Sequence, residues 1–408
     1  MTRAAPWLAA AAALLAPLPS GARERAAGGR VVLRTTLKST LLLSRSPEEA
    51  VRADSLFRLR VDALAKPAEA WTAGAAWETR LRATAPPGAA GGGVLPPDAS
   101  PPFRLRPLDE PLATGEGLAW RHELDRAFVA WRAGPSELTV GRQAIGWGRG
   151  VLFGAVDLFA PFSPLEADRA WRRGVDALRA DVRLGERLSV DVAAALGRDA
   201  DPDASVFAAR LRGYAGEVDG ELLLGRRARD LVVGLASSAA VGDAEGHAEL
   251  ALFRTPGANA APLLGDDRLV AKAVLGASYR FALGNGLPVF LEYHYSGFGA
   301  PRPGDPLTWP ALSERLSRGD TQLMGRQGLA LLATYEANEE ATLQLLWLAS
   351  PRDGSGVLAP SATLTLGDRA TVQATAYLPH GAGLRDGAPR SDLGATPLAL
   401  LVQVAVYD

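Results

Sequence analysis

The sequence predicts an all-β chain, a closed antiparallel β-barrel of about 18 strands, within a range of about 16 to 20. Three observations predict it. Short segments in which apolar residues alternate with polar or charged ones recur along nearly the whole chain. Tight turns and long Pro/Gly-rich connections alternate between them. One central stretch, 144–174, breaks the pattern with a mixture of glycine, aromatic and charged residues, and is expected to fold inward.

The first residues read as an export signal rather than as fold. Arg3 supplies a positive start, Trp7 to Leu18 an apolar run, and Ser20-Gly21-Ala22 small residues at a cleavage site. The apolar run is well below the ~20 residues of a spanning helix. The expectation is a signal over 1–22 and one domain over 23–408. The chain has no Cys, so disulfides and thiolate metal sites are excluded. Its formal net charge of −1 is not the basic footprint of a nucleic-acid binder. No later run reaches the ~18 consecutive apolar residues of a transmembrane helix. Insertion into a membrane would therefore require a closed barrel, which satisfies its own backbone hydrogen bonds.

The alternation is specific. Phe57, Leu59, Val61 and Ala63 alternate with Arg58, Arg60 and Asp62, and Trp77, Thr79, Leu81 and Ala83 with Glu78, Arg80 and Arg82. Leu178, Ala180, Val182 and Leu184 alternate with Arg179, Asp181 and Arg183; Val289, Leu291, Tyr293 and Tyr295 with Phe290, Glu292, His294 and Ser296. A period of two gives each segment one apolar and one polar face. Segments begin near Val31, Ser55, Trp71, Leu118, Glu137, Val175, Leu188, Ser205, Glu217, Leu231, His247 and Leu269. Further starts fall near Pro288, Gln327, Ala341, Val357, Ala370 and Pro397.

Tight turns at 184–187, 284–286, 337–339 and 367–369 alternate with long connections at 85–116, 255–267, 297–325 and 380–392. Short turns at one end and long loops at the other are the habit of transmembrane barrels. Alternation by itself does not say which face points inward. A soluble propeller would show a repeat of ~40–50 residues, and none is present. A soluble sandwich would turn its polar faces outward. The many charges on the polar faces, with no separate apolar core segment, favour a transmembrane β-barrel in contact with outer-membrane lipid, its charges lining a lumen.

Within the central stretch, Gly146, Gly148 and Gly150 permit a close-packed departure from the wall, and Trp147 and Phe153 are the expected anchors. The expected pore-lining or constriction charges are Arg149, Asp157, Glu166, Asp168, Arg169, Arg172, Arg173 and Asp176. Arg179, Asp181 and Arg183 continue the set on the following strand, and Arg58, Arg60, Arg80 and Arg82 form a basic lumen ladder. Fixed charge in a low-dielectric constriction sets ion selectivity. The plainer reading is that these charges pair and only hold the segment in place. The glycines could suggest a phosphate loop, but no Gly-Lys-Ser/Thr and no βαβ pattern accompany them. His122, His247, His294 and His380 are scattered without ligand spacing, and Asp266-Asp267 is an isolated acidic pair. The expectation is no enzyme activity, no cofactor and no metal site.

The run Gly141-Arg142-Gln143, Trp147-Gly148-Arg149-Gly150, Asp157-Leu158-Phe159, Pro161-Phe162-Ser163-Pro164 and Gly174-Val175-Asp176-Ala177-Leu178-Arg179 resembles a motif run of porin-like outer-membrane β-barrels. These include alginate-export-type porins and several uncharacterised Gram-negative barrel families. The resemblance is sharp over 137–184 and architectural elsewhere. It implies an outer-membrane barrel of a Gram-negative bacterium, a passive channel for small hydrophilic solutes whose central loop enters the lumen. It names no solute; inward-facing ladder arginines would favour anionic ones. The alternative is a non-catalytic scaffold holding a periplasmic electron-transfer protein or a surface polysaccharide partner. The chain departs from the family habit of a terminal aromatic by ending Val406-Tyr407-Asp408, with Tyr407 penultimate. Aromatics, at 7% of residues, leave thin interfacial girdles.

Overall fold

Two-sided strands bury one face only by packing against something, and this chain closes them into a ring. The computed structural model describes residues 31–45, 51–86, 94–96, 100–257, 268–302, 312, 315–386 and 388–408. The export signal expected over 1–22 lies outside them.

Strands β1 (Val31–Arg45), β2 (Arg52–Ala68) and β3 (Trp71–Ala85) lead to a short β4 (Asp109–Gly115), then to β5 (Leu118–Ala133) and β6 (Ser136–Gln143). After the central segment come β7 (Val175–Arg183), β8 (Leu188–Ala195), β9 (Val206–Ala215), β10 (Val218–Arg227), β11 (Asp230–Val241) and β12 (Ala244–Arg254). The meander continues with β13 (Leu269–Phe281), β14 (Leu287–Ser296), β15 (Gln327–Glu336), β16 (Ala341–Ala349), β17 (Gly356–Leu366) and β18 (Ala370–His380). A two-residue pair, β19 (Leu384–Arg385) and β20 (Ala388–Pro389), precedes the last strand, β21 (Leu398–Tyr407).

Eighteen strands form a closed antiparallel ring, with β21 returning to β1: Thr36 lies opposite Tyr407 and Arg45 opposite Leu398. Closure pairs every ring strand with a neighbour on both sides. β4 shares one ring position with β6. It pairs with the first half of β5, Asp109 opposite Glu123, where β6 pairs with the second half, Ala127 opposite Arg142. All eighteen strand starts read from the sequence fall within three residues of those of the ring strands. β4 was not among them. Pro111 removes a ladder donor in a Pro-rich stretch, so the sequence reads as a loop.

The faces sort by environment. On β2, Asp54, Leu56, Arg58 and Arg60 are buried, whereas Phe57, Leu59 and Val61 stay partly open. On β11, Leu231, Val233 and Leu235 are 56%, 47% and 53% exposed while Asp230, Val232 and Ala236 are buried. The pattern repeats on β10, where Leu222 and Leu224 are exposed, and on β21, where Leu398 and Leu400 are. The charged face is the interior, and the exterior is a continuous apolar belt. Water would penalise such a belt at roughly 25 cal/mol per Å² of apolar surface; lipid does not.

Hairpin turns gather at one end: Gly134, Gly216, Gly242 and Gly367 hold φ of 56°, 62°, 62° and 60° there, the left-handed conformation that tight turns require. The strand ends that flank the long connections, Ala85 and Asp109, Gln143 and Val175, Arg254 and Leu269, Ser296 and Gln327, and His380 and Leu398, lie at the other end.

Candidate functional site

The chain leaves the wall at the end of β6. Gly141, at φ 115°, lies so close to the Ala127 carbonyl that a Cβ would collide with it. Beyond it Arg142 is buried and makes a bidentate fork to Asp176, Nε to Oδ1 at 2.7 Å and Nη2 to Oδ2 at 2.9 Å. It also donates to the carbonyls of Arg106, Pro107 and Leu124. The fork closes β6 onto β7 and onto the chain before β4. This corrects one sequence expectation. Asp176 alternates with the buried Val175 and Ala177, so it occupies the opposite face of β7 and is a clasp rather than a lumen charge.

From there residues 147–160 pack against the buried faces of the strands. Trp147 is buried, donates from Nε1 to Asp191 Oδ2 at 3.1 Å, and meets Phe159 edge-on at 4.9 Å. Phe153 stacks on the His294 ring at 4.7 Å. The glycines are where the chain cannot carry a side chain. A Cβ on Gly150 would overlap the Phe153 carbonyl, and one on Gly146 would meet the Arg172 guanidinium at 2.6 Å. Gly148 adopts φ 105°.

Two inward carboxylates take the backbone donors that such an irregular, buried segment would otherwise leave unpaired. Glu249 of β12 accepts from the N–H groups of Arg149, Gly150 (2.8 Å), Ala155 (2.6 Å) and Val156 (3.2 Å). Glu292 of β14 accepts from Val151 (2.5 Å), Leu152 (2.9 Å) and Phe153 (3.1 Å), and its Oε1 lies 2.8 Å from His247 Nε2. Gln322 adds a third hold, accepting from Gly154 N and donating to the Phe162 carbonyl, each at 2.8 Å. Sequence reasoning placed Glu292 on an inward face but gave neither glutamate this role. The available signal was the segment itself: a glycine-rich, aromatic stretch short of acceptors for its own N–H groups.

The charges of the segment pair mainly with the wall. Asp168 binds Lys38 and Arg58, both at 2.8 Å. Trp171 lies against the same cations, 4.1 Å from Lys38, 5.2 Å from Arg58 and 5.0 Å from Arg60. Arg58 also pairs with Glu78 at 2.8 Å, Arg60 with Asp125 at 2.8 Å, and Arg80 with Glu123. Arg82 donates to the Pro96 carbonyl at 2.9 Å. All four ladder arginines thus face inward and are buried beneath the segment. Arg149 reaches Asp219 at 2.8 Å and Glu221 at 3.2 Å, whereas Arg172 stays within the segment and pairs with Asp157. Arg169 lies over the Phe162 ring. On β7, Arg179 pairs with Asp191 and Asp181 with Arg212, while Arg183 is exposed near the turn.

Two carboxyls of the segment are pushed apart. Burial holds Glu166 above the usual carboxylate range, with Arg173 countering only part of the effect. Burial also opposes the charge on Asp168, but Arg58 and Lys38 outweigh it and hold that group below its ordinary value.

Three of the larger cavities among the described residues border the segment. One of about 450 Å³ lies on the long-loop side, between Pro96, Pro161, Glu166 and Leu316. A second, about 270 Å³, separates Leu152, Leu165, Glu166 and Arg169 from β15–β18. A third, about 360 Å³, lies against Gly146–Gly150, Arg169 and Arg172. The first two share Glu166, and the last two share Leu152 and Arg169.

A closed ring of eighteen antiparallel strands, charged within and apolar without, is the fold of outer-membrane porin-type β-barrels. Among solved structures it is similar to Acinetobacter baumannii OccAB1, with a TM-score of 0.57 at 8% identity, over 93% of this chain and 96% of that one. It is similar also to Acinetobacter baumannii OccAB4 (TM-score 0.54, 10% identity, 93% and 98% covered). Pseudomonas aeruginosa OpdK, solved with vanillate, compares at TM-score 0.51 and 11% identity, with 93% and 98% covered. At these identities the likeness is one of fold. No protein-family model matches the chain, and no curated protein matches it by sequence.

Proposed function

We propose that the protein is a passive outer-membrane channel for small hydrophilic solutes, with 144–174 as its constriction. The observation that carries this reading is the seating of that segment on Glu249 and Glu292, buried side chains of two barrel strands, with cavities around it that share lining residues. A segment packed flush against the whole inner wall would leave no such spaces at its edge. The apolar belt supports residence in a bilayer, and the porin-type fold supports the outer membrane of a Gram-negative bacterium as its place. The resemblance of 137–184 to alginate-export-type porins points the same way.

The sign of the interior supports a weak anion preference. Lys38, Arg58, Arg60, Arg80, Arg104 and Arg126 meet Asp62, Glu78, Glu123, Asp125 and Asp168 in the network beneath Trp171. An excess of fixed cations leaves a positive potential across the narrow part. The test is single-channel conductance of the refolded chain in a planar bilayer, beside a variant lacking 154–173. Conductance that rises and loses selectivity on deletion supports the reading. A folded barrel silent in both forms overturns it and leaves a scaffold for a periplasmic or surface partner.

A further inference from the structure

The interior has two unlike walls. The charged one, on β1–β3 and β5, is covered: Lys38, Arg58, Arg60 and Arg80 are buried under Trp171 and Asp168, each in an ion pair. Strands β16, β17, β18 and β21 contain no Asp, Glu, Lys or Arg. Their inward positions carry amides and hydroxyls, Gln344, Ser361, Gln373, Thr375 and Gln403 among them, with Leu346 and Tyr377 above. The 270 Å³ cavity lies against this wall, and among the described residues its only charged lining residues are Glu166 and Arg169 of the central segment. It borders the cavities on either side, sharing Glu166 with one and Leu152 and Arg169 with the other.

We infer that solutes pass along this uncharged wall, between it and the Pro164–Arg169 edge of the segment, and that the wall is a binding track for uncharged polyhydroxylated solutes of monosaccharide size. The inference deepens the channel reading and rests on it. An ion losing water in so narrow a space needs a compensating charge, and the wall offers none. A sugar hydroxyl replaces its water bonds with amide and hydroxyl partners at little cost. The apolar tier of Leu152, Leu165, Leu346 and Tyr377 suits the C–H faces of a sugar ring. The covered cations opposite act only through their distant field.

The experiment compares uptake of D-glucose and D-gluconate, alike in size and unlike in charge, into proteoliposomes of the refolded full chain, with KCl conductance measured on the same preparation. Glucose is expected to enter faster than gluconate. Ser361→Trp and Gln344→Trp, which fill the cavity from the wall, each lower glucose uptake by about tenfold, since pore width sets passage. Thr375→Val, which keeps the volume and removes a hydroxyl, slows glucose while KCl conductance persists. Faster gluconate than glucose overturns the inference, as does unchanged glucose uptake in both tryptophan variants that keep a heat-modifiable barrel. Absence of KCl conductance in the parent protein sinks the channel reading and this inference together, whereas normal conductance with wall-insensitive glucose uptake sinks this inference alone.

Discussion

Replacing Glu292 by Ala removes the acceptor of three backbone N–H groups, those of Val151, Leu152 and Phe153, and the partner of His247. Each orphaned buried donor costs ~1–3 kcal/mol, so the dry limit is ~3–9 kcal/mol. Water entering the vacated space restores part of this, and a net cost of about 3 kcal/mol is the working figure. That energy falls on the segment alone, because the ladder bonds of β14 to β13 and β15 do not involve the side chain. A bias of about 3 kcal/mol raises the detached population by about a hundredfold. Two readouts report it. Trypsin should cut after Arg149, Arg169 or Arg172 far faster than in the parent, and single-channel records should gain larger, noisier openings. Glu292→Gln, which keeps one acceptor but turns an amide N–H toward other donors, should fall between. The barrel itself, followed by heat-modifiable gel mobility, should stay intact in both. If Glu292→Ala leaves protease resistance and conductance at parental values with the barrel folded, the two carboxylates do not seat the segment and the reasoning fails.

Other outcomes follow from the same geometry. Gly150→Ala puts a methyl group into the Phe153 carbonyl and should loosen the segment by the trypsin measure, while Gly115→Ala, whose methyl meets nothing within 4 Å, should not. Glu166, raised by burial, takes up its proton at a higher pH than an ordinary carboxyl, so acidification should neutralise it before ordinary carboxylates and increase anion preference in reversal-potential measurements; Glu166→Gln should abolish that early change. Asp168, held low by Arg58 and Lys38, contributes stability above its unfolded value near ~3.9 and loses it only as pH falls through a still lower folded value. Acid should therefore not release that anchor until below about pH 4, whereas Asp168→Asn should raise trypsin cutting at pH 7. Leu235→Arg on the outer belt should cost ~2–4 kcal/mol of barrel stability in urea titrations from vesicles, and Gln344→Arg on the inner wall far less.

The ring strands were legible because each needs only its own alternation: Arg58 and Arg60 against Phe57, Leu59 and Val61 is a complete local statement. Inside and outside became definite only when closure showed which face is covered. β4 escaped because Pro111 disguises it, and because its ring position is vacated by a β6 that stops at Gln143. At the site, Trp147, Phe153 and the glycines stand out by composition, but Glu249 and Glu292 do not. Their role depends on backbone donors 100 and 141 residues away, which no local pattern encodes. Asp176 was misplaced for a related reason. One residue beyond the glycine-rich segment, the strand register had already begun, and parity put its side chain on the other face.

The seating of the central segment also bears on the order of assembly. The segment is tethered at both ends, to β6 and to β7, and Asp168 pairs with β1 and β2, yet the backbone of 149–156 is held by β12, β14 and Gln322, all later in the chain. The seam between β1 and β21 joins the first strand of the ring to the last. A nascent barrel that has made β7 to β11 therefore carries a glycine-rich stretch, 149–156, whose backbone acceptors on β12 and β14 have yet to arrive. It is captured only as the far wall arrives, which makes the growing sheet a curved cradle that collects its own cargo before the final zipper of β21 shuts it in.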